Sequence, residues 1–98
     1  MNMQQMLIQA QKIQRQMQKE QAELEQKEFT VSKGGAVTVV VKGDKTIKSI
    51  SIDKDAFDED NKEMVEEMIA LAINEAVEQI KAKEAEINSK LSGAGSFF

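Results

Sequence analysis

The first part of the chain carries apolar residues at alternating intervals of three and four positions, followed by one interval of seven. They are Met3, Met6, Ala10, Ile13, Met17 and Leu24. Residues at this spacing take the a and d positions of a heptad repeat and form one stripe along an α-helix. The segment has neither Gly nor Pro and is rich in Gln, Lys and Met, which are good helix formers. We therefore predict one long helix over about residues 3–27.

The pattern changes at Phe29 to short runs of β-branched residues. The three runs cover residues 29–32, 36–41 and 46–52. Turn sequences with glycine separate the runs, and glycine readily takes the positive φ of tight hairpins, so we predict an antiparallel three-stranded meander. In the last run Ile50 and Ile52 alternate with serines. This alternation predicts one buried and one solvent-facing side for that strand.

A second long helix is predicted over about residues 61–90, after an acidic link at residues 53–60. Residues 68–73 are apolar on every side of this helix, which predicts contacts with both the sheet and a second subunit. The residues expected at the dimer interface are Met68, Ile69, Leu71, Ala72, Ile73, Ala76 and Ile80. The polar, glycine-rich residues 92–98 are expected to form a flexible tail.

These elements predict one α+β domain over residues 1–98, with the order α-β-β-β-α and the meander between two long helices. A chain of 98 residues buries only about 60 to 65% of the surface that its unfolded form exposes. Its own core is therefore small. Because association with a second copy buries more apolar surface, we expect a homodimer.

Charge is segregated along the chain. The net charge is −4 and the isoelectric point is about 4.9, yet the first nineteen residues contain Lys12, Arg15 and Lys19 and no acid. These cations fall at c and f heptad positions, which face away from the apolar stripe. Any soluble coiled coil has a charged outer face, but such faces ordinarily mix both signs. The pattern therefore favours contact with a polyanion over simple solvation.

The composition argues against catalysis. The chain has no Cys and no His, which removes disulfides, thiol nucleophiles, imidazole bases and most zinc or haem ligand sets. The acidic link does not match a calcium-binding loop, because Asp58 stands at the glycine position and Met64 at that of the bidentate glutamate. We expect no enzymatic activity, no metal, no cofactor and no small-molecule substrate.

The hydrophobic segments are too short for a membrane protein. The longest apolar run, residues 68–73, is far below the ~18 residues of a membrane span. The amino terminus has no continuous apolar segment of the kind found in secretory signals. We therefore expect a cytoplasmic protein without a membrane partner.

Three stretches of the chain together resemble the YbaB/EbfC family of bacterial nucleoid-associated proteins. They are QAQKIQRQMQKEQAELEQ, FTVSKGGAVTVVVKGDKTIKSISID and NKEMVEEMIALAINEAVEQIKAK. In order and spacing the resemblance covers nearly the whole chain. It implies an intertwined homodimer whose helices project from a central sheet like tweezers. It also implies DNA binding that shapes the nucleoid and can affect gene expression.

Two functions fit these observations. The first is binding of double-stranded DNA with low sequence specificity through phosphate contacts. The expected DNA contacts are Lys12, Arg15 and Lys19, with a second set at Lys81, Lys83 and Lys90. The alternative is a coiled-coil dimeric adaptor, whose apolar stripe on the first helix binds a helix of another protein without direct DNA contact.

Overall fold

The computed structural model describes the backbone of residues 2–95 and the side chains of residues 2–90. In chain order the elements are α1 (Met3–Gln26), β1 (Glu28–Lys33), β2 (Val37–Lys42), β3 (Ile47–Ile52), a 3₁₀ turn (Glu59–Asn61) and α2 (Lys62–Gly95). The predicted α+β fold with the order α-β-β-β-α is confirmed. The molecule is elongated, with extents of 69 × 20 × 15 Å.

Helix α1 has a defined cap at each end. At the start, the Asn2 side chain accepts a hydrogen bond from the Gln5 N–H at 2.8 Å, and the Gln5 side chain accepts one from the Asn2 N–H at 3.4 Å. This reciprocal pair is a capping box. At the end, Lys27 takes an extended backbone and its N–H donates to the Leu24 carbonyl oxygen at 3.0 Å. The helix therefore stops within one residue of its predicted end.

The sheet is the predicted antiparallel meander, in the spatial order β1-β2-β3. Gly34 and Gly35 connect β1 to β2 with φ of 58° and 66°. Positive φ at two successive positions is the requirement of a type I′ hairpin turn, which glycine meets without steric cost. The register pairs Val31 with Val39 and Phe29 with Val41. These four side chains therefore lie on the same face of the sheet.

The core lies between this face of the sheet and α2. Its buried residues are Leu24, Phe29, Val31, Ala36, Val37, Val39, Val41, Val65, Ala72, Ala76 and Ile80. Helix α2 packs over β1 and β2. Ala72 and Ala76 are fully buried at this contact. Because alanine has the smallest side chain of the buried set, the two residues let the helix backbone approach the sheet closely.

The prediction for β3 is only half right. Ile52 pairs with Val37 and Ile50 pairs with Val39, so both isoleucines lie on the apolar face of the sheet, as the alternation indicated. However, Ile50 is 44% exposed and Ile52 is only partly buried. The reason is that α2 covers the two other strands. The apolar face of β3 is left open within the protomer.

Helix α2 is longer than predicted. Asp58 caps the short 3₁₀ turn by accepting a hydrogen bond from the Asp60 N–H at 2.9 Å, and α2 follows directly. The helix continues to Gly95, so residues 92–95 are helical and the prediction of a tail is wrong for them. The rest of the predicted tail, residues 96–98, lies outside the described residues. No helix in the range 2–95 is long and apolar enough to cross a bilayer.

The end of α1 is fixed against the turn between β2 and β3. The Gly43 N–H donates to the Lys27 carbonyl oxygen at 2.9 Å. A Cβ atom at Gly43 would lie 1.7 Å from the Leu24 carbonyl oxygen. No side chain fits in that space, since real Cβ contacts are never so short. Glycine at position 43 therefore sets how closely α1 joins the sheet.

A second contact fixes α1 to α2. The Lys90 ammonium donates a hydrogen bond to Oε1 of Glu20 across the two helices. This hydrogen bond is the main reason that the pKa of Glu20 lies below its ordinary value of 4.5, while partial desolvation opposes the shift. The Gln16 side chain, which donates to Glu20 at 3.4 Å, lowers the pKa further. The contact is therefore strongest when Glu20 is ionised.

Replacing Gly43 by alanine is expected to destabilise the protein by about 2 to 3 kcal/mol, because the new methyl group collides with backbone of α1 rather than with a movable side chain. The matched control is Gly35→Asn. A Cβ atom at Gly35 would meet no other atom within 4 Å, and asparagine tolerates the positive φ, so the loss there is expected to stay below about 1 kcal/mol. Urea denaturation measures both variants, and equal midpoints would contradict the steric role of Gly43.

Replacing Glu20 by glutamine is expected to lower the urea midpoint at pH 7 and to have a smaller effect at pH 3. A carboxyl group whose pKa is lowered in the folded state stabilises that state above its unfolded pKa, here 4.5, and loses this contribution as the pH falls through the folded value. Glu25→Gln is the control, since Glu25 is exposed on α1 and forms no ion pair with a described side chain. A loss of equal size at both pH values would show that the Glu20 carboxylate charge is not involved.

Candidate nucleic-acid interface

The three cations of α1 lie together on one exposed stripe. Lys12, Arg15 and Lys19 are exposed, and with Ile8 and Gln16 they line a single shallow depression on the helix surface. The steps of three and four residues between the cations produce this alignment, because such steps return to the same face of a helix. The capping box at Asn2 begins the helix early enough to include the whole stripe.

Among the described side chains, these three cations form no ion pair. The seven lysines that do form one are Lys33, Lys45, Lys48, Lys62, Lys81, Lys83 and Lys90. A cation that is already paired must give up its carboxylate before it can neutralise a phosphate. The stripe on α1 therefore offers charge that is available without rearrangement.

The three lysines of the second predicted set of DNA contacts already have carboxylate partners. Lys81 lies 3.6 Å from Glu78 and Lys83 lies 3.3 Å from Glu86, both within α2, while Lys90 is bonded to Glu20. The two pairs within α2 are exposed and individually weak. The Lys90 pair also holds α1 in place. These lysines are thus not brought into one free basic patch with the α1 stripe.

Most of the lysines of the sheet and its turns are neutralised as well. Lys33 lies 3.0 Å from Glu75, Lys45 lies 3.2 Å from Glu84, and Lys48 is bonded to Glu28. Residues 33–48 contain four lysines against one acid, but this surplus of positive charge does not form a continuous basic surface. Helix α2 and β1 supply the carboxylates, which the linear sequence places far from these lysines.

Three further cations, Lys27, Lys42 and Lys54, form no ion pair within residues 2–90, and the sequence analysis assigned none of them to DNA contact. The backbone joins Lys27 and Lys42 closely, because the Gly43 N–H donates to the Lys27 carbonyl oxygen. The Lys27 ammonium lies 5.4 Å from the centroid of the Phe29 ring, a cation–π contact. In the sequence Lys27 stands between Glu25 and Glu28, so the local net charge did not mark it as a candidate DNA contact.

The residues predicted for the dimer interface fall into two groups. Ala72, Ala76 and Ile80 are fully buried in the core of their own protomer. Met68, Ile69 and Ile73 are half-buried, and Leu71 is 52% exposed. The first group has no surface left for a partner. The interface prediction therefore remains a prediction for the second group.

The second group occupies two flanks of α2. Ile69 lines an open apolar cavity of about 400 Å³ with Ile52 and Phe57, so it lies beside β3. Met68 lies on the other flank, close to the β1–β2 turn, since a Cβ on Gly34 would meet its methyl group at 2.8 Å. Leu71 follows Met68 by three residues and shares its flank. Apolar side chains are thus exposed on both sides of α2.

Comparison with known proteins agrees with the resemblance seen in the sequence. A nucleoid-associated protein of Clostridium novyi is 47% identical over 94 residues, which are 95% of this chain and 82% of that protein. A nucleoid-associated protein of Clostridium kluyveri is 43% identical over 93 residues, 94% of this chain and 82% of the relative. A nucleoid-associated protein of Malacoplasma penetrans is 41% identical over 87 residues, which are 89% of this chain and 93% of that protein. The model of the YbaB/EbfC DNA-binding family matches residues 1–95, and the chain belongs to that family.

Proposed function

We propose that this protein is a non-enzymatic, nucleoid-associated homodimer that binds duplex DNA with low sequence specificity through its phosphates. Lys12, Arg15 and Lys19 of α1 make the contacts in each subunit. Such binding organises the nucleoid in the cytoplasm and can alter gene expression. The observation that carries the proposal is the exposed stripe of three cations without an ion-pair partner among the described side chains.

The chemistry of the stripe supports phosphate contact rather than base reading. Two of the three cations are lysines, whose ammonium groups act as point charges without a fixed direction of hydrogen bonding. Binding would be driven by the release of counterions that the DNA holds, which does not depend on sequence. Membership of a DNA-binding family, and the names of the relatives in two clostridia, support the same partner.

Lys81, Lys83 and Lys90 are proposed as a weaker second set. Each would have to exchange a carboxylate for a phosphate. For Lys81 and Lys83 the exchange costs little, because exposed pairs within a helix contribute only about 0.3 to 0.5 kcal/mol. For Lys90 it would also release α1 from α2. We therefore expect Lys81 and Lys83 to contribute to binding more readily than Lys90.

The homodimer is proposed to cover the apolar surface that one α2 leaves open. Ile50 on β3 is 44% exposed, Leu71 on α2 is 52% exposed and Phe57 is 79% exposed. These side chains lie on both flanks of α2. A partner that wraps around the helix, as in an intertwined dimer, would bury both flanks at once. Ile69 and Ile73 would complete the contact beside β3.

The coiled-coil adaptor is the second candidate. The observation that favours it is the exposure of the first turns of α1, where Met3 is 78% and Leu7 59% exposed. Binding of a helix along this side would rely on apolar contact. It would depend little on salt and would tolerate reversal of the charge at Arg15. The salt dependence of DNA binding therefore separates the two functions.

Introduction of a charge into the apolar surface is expected to convert the dimer to monomers. Ile50→Lys and Leu71→Lys each place an ammonium group where the partner would bury a hydrocarbon side chain. Light scattering at fixed concentration is expected to give half the mass of the parent protein. Ile8→Lys is the control, since Ile8 is similarly exposed, at 57%, but lies on the cationic stripe of α1. A full dimeric mass for both variants would contradict the proposed interface.

The DNA site is tested by fluorescence anisotropy on a labelled duplex of about 30 base pairs across a salt series. Six cations from two subunits, at about −0.9 per neutralised phosphate, give a log–log slope no steeper than about −5. Arg15→Glu with Lys19→Glu is expected to weaken binding at least about tenfold at low salt and to flatten the slope, because most of the counterion release is lost.

The matched control is Lys81→Glu with Lys83→Glu, which changes the net charge of the chain by the same amount. Its effect is expected to be clearly smaller, because both lysines already have carboxylate partners. Equal losses in the two double variants would mean that net charge, not the α1 stripe, governs binding. Absence of binding by the parent protein at low salt would refute the DNA proposal.

A further inference from the structure

The front half of α1 extends beyond the described end of α2. The two helices run antiparallel, because Glu20 meets Lys90 while Lys27 and Lys83 line the same cleft. In an antiparallel pair the numbers of two facing residues have a constant sum, which here is about 110 because Glu20 faces Lys90. The described end of α2, Gly95, therefore lies opposite residue 15 of α1. About thirteen residues of α1, roughly 20 Å of helix, project past that point.

This projecting half carries a symmetric apolar seam. Its a and d positions are Met3, Met6, Ala10 and Ile13. In an antiparallel pair of helices, an a position of one helix faces a d position of the other. Met3 would then face Ile13 of a second copy, and Met6 would face Ala10, since both pairs of numbers add up to 16. The seam is therefore complementary to itself when one copy is turned through 180°.

The positions beside the seam carry no charge. At e and g they are Asn2, Leu7, Gln9, Gln14 and Gln16. In coiled coils, opposite charges at these positions favour pairing with a different helix, and like charges disfavour pairing of two identical helices. Because the e and g positions of this segment are uncharged, no charge repulsion opposes the pairing of two copies. Leu7, which is 59% exposed, lies next to the centre of the symmetric pairing and would add apolar contact.

We propose that the front half of α1 pairs antiparallel with the front half of α1 from a second copy of this chain. Lys12 and Arg15 stay on the outer side of the pair, at c and f positions. The contact has only four core layers and buries less than the about 800 Å² per partner of a standard interface, so it forms at high local concentration. If the proposed DNA binding also holds, the pair presents a cationic stripe on each outer side and links two DNA-bound dimers.

The pairing is tested by cysteine cross-linking in the absence of DNA, so that its outcome does not depend on the DNA proposal. The chain has no cysteine, so each introduced thiol is the only one. Met6→Cys and Ala10→Cys are prepared separately, then oxidised alone and as a mixture. Antiparallel pairing brings position 6 of one chain to position 10 of the other, so the covalent pair is expected in the mixture and not in either variant alone.

The control is a mixture of Gln4→Cys and Gln11→Cys, both at b positions on the outer side of α1. No covalent pair is expected there. Cross-linking of each seam variant with itself would indicate parallel pairing and would overturn the proposal. Equal cross-linking in the seam and control mixtures would show random collision and would overturn it too, as would the absence of any covalent pair. Circular dichroism confirms that each variant keeps its helix content.

Discussion

The architecture depends on how much of a sheet one helix can cover. Strands lie about 4.8 Å apart and a helix with its side chains is about 10 Å wide, so a single helix covers two strands. In this protein α2 covers β1 and β2, where Ala72 and Ala76 bring it close to the fully buried valines of β2. The third strand keeps an apolar face without a cover, as the exposure of Ile50 shows. The protomer therefore leaves the apolar face of its third strand uncovered. Because one helix covers only two strands, burial of this face favours association with a second copy.

The position of the cationic stripe follows from a difference in length. Strands of six residues span about 20 Å, whereas the 34 residues of α2 span about 51 Å. Contacts of α2 with the sheet and its turns reach from Met68, beside Gly34, to Glu84, which pairs with Lys45. The remaining part of the helix up to Gly95, roughly 16 Å, extends past the sheet, and α1 packs against that extension. Gly43 sets how α1 leaves the sheet, and the bond between Glu20 and Lys90 fixes its direction. The body of the protein therefore carries the front half of α1 as an arm, well separated from the sheet.

The sequence was sufficient for the elements and their order, because helix and strand have different apolar periods and glycines mark the hairpins. It was insufficient for what each apolar face meets. Ala72 and Ile80 were assigned to a partner but are buried in the core of their own protomer, and Ile50 was expected to be buried but is 44% exposed. Periodicity identifies a face without identifying its neighbour. The same limit applies to charge, since Lys33 and Glu75 are 42 positions apart in the chain yet form an ion pair.

The net charge of −4 is a poor guide to what the arm can bind. The acidic link precedes α2, and the 28 residues from Lys62 to Lys90 place it about 42 Å from the contact with α1. At physiological ionic strength the field of exposed charges decays over about 8 Å, so the acids of the link are several screening lengths away from Arg15. A polyanion approaching the arm therefore meets mainly local positive charge. At the other end the same acids would repel it, so this charge distribution favours an approach of the polyanion from the side of the arm.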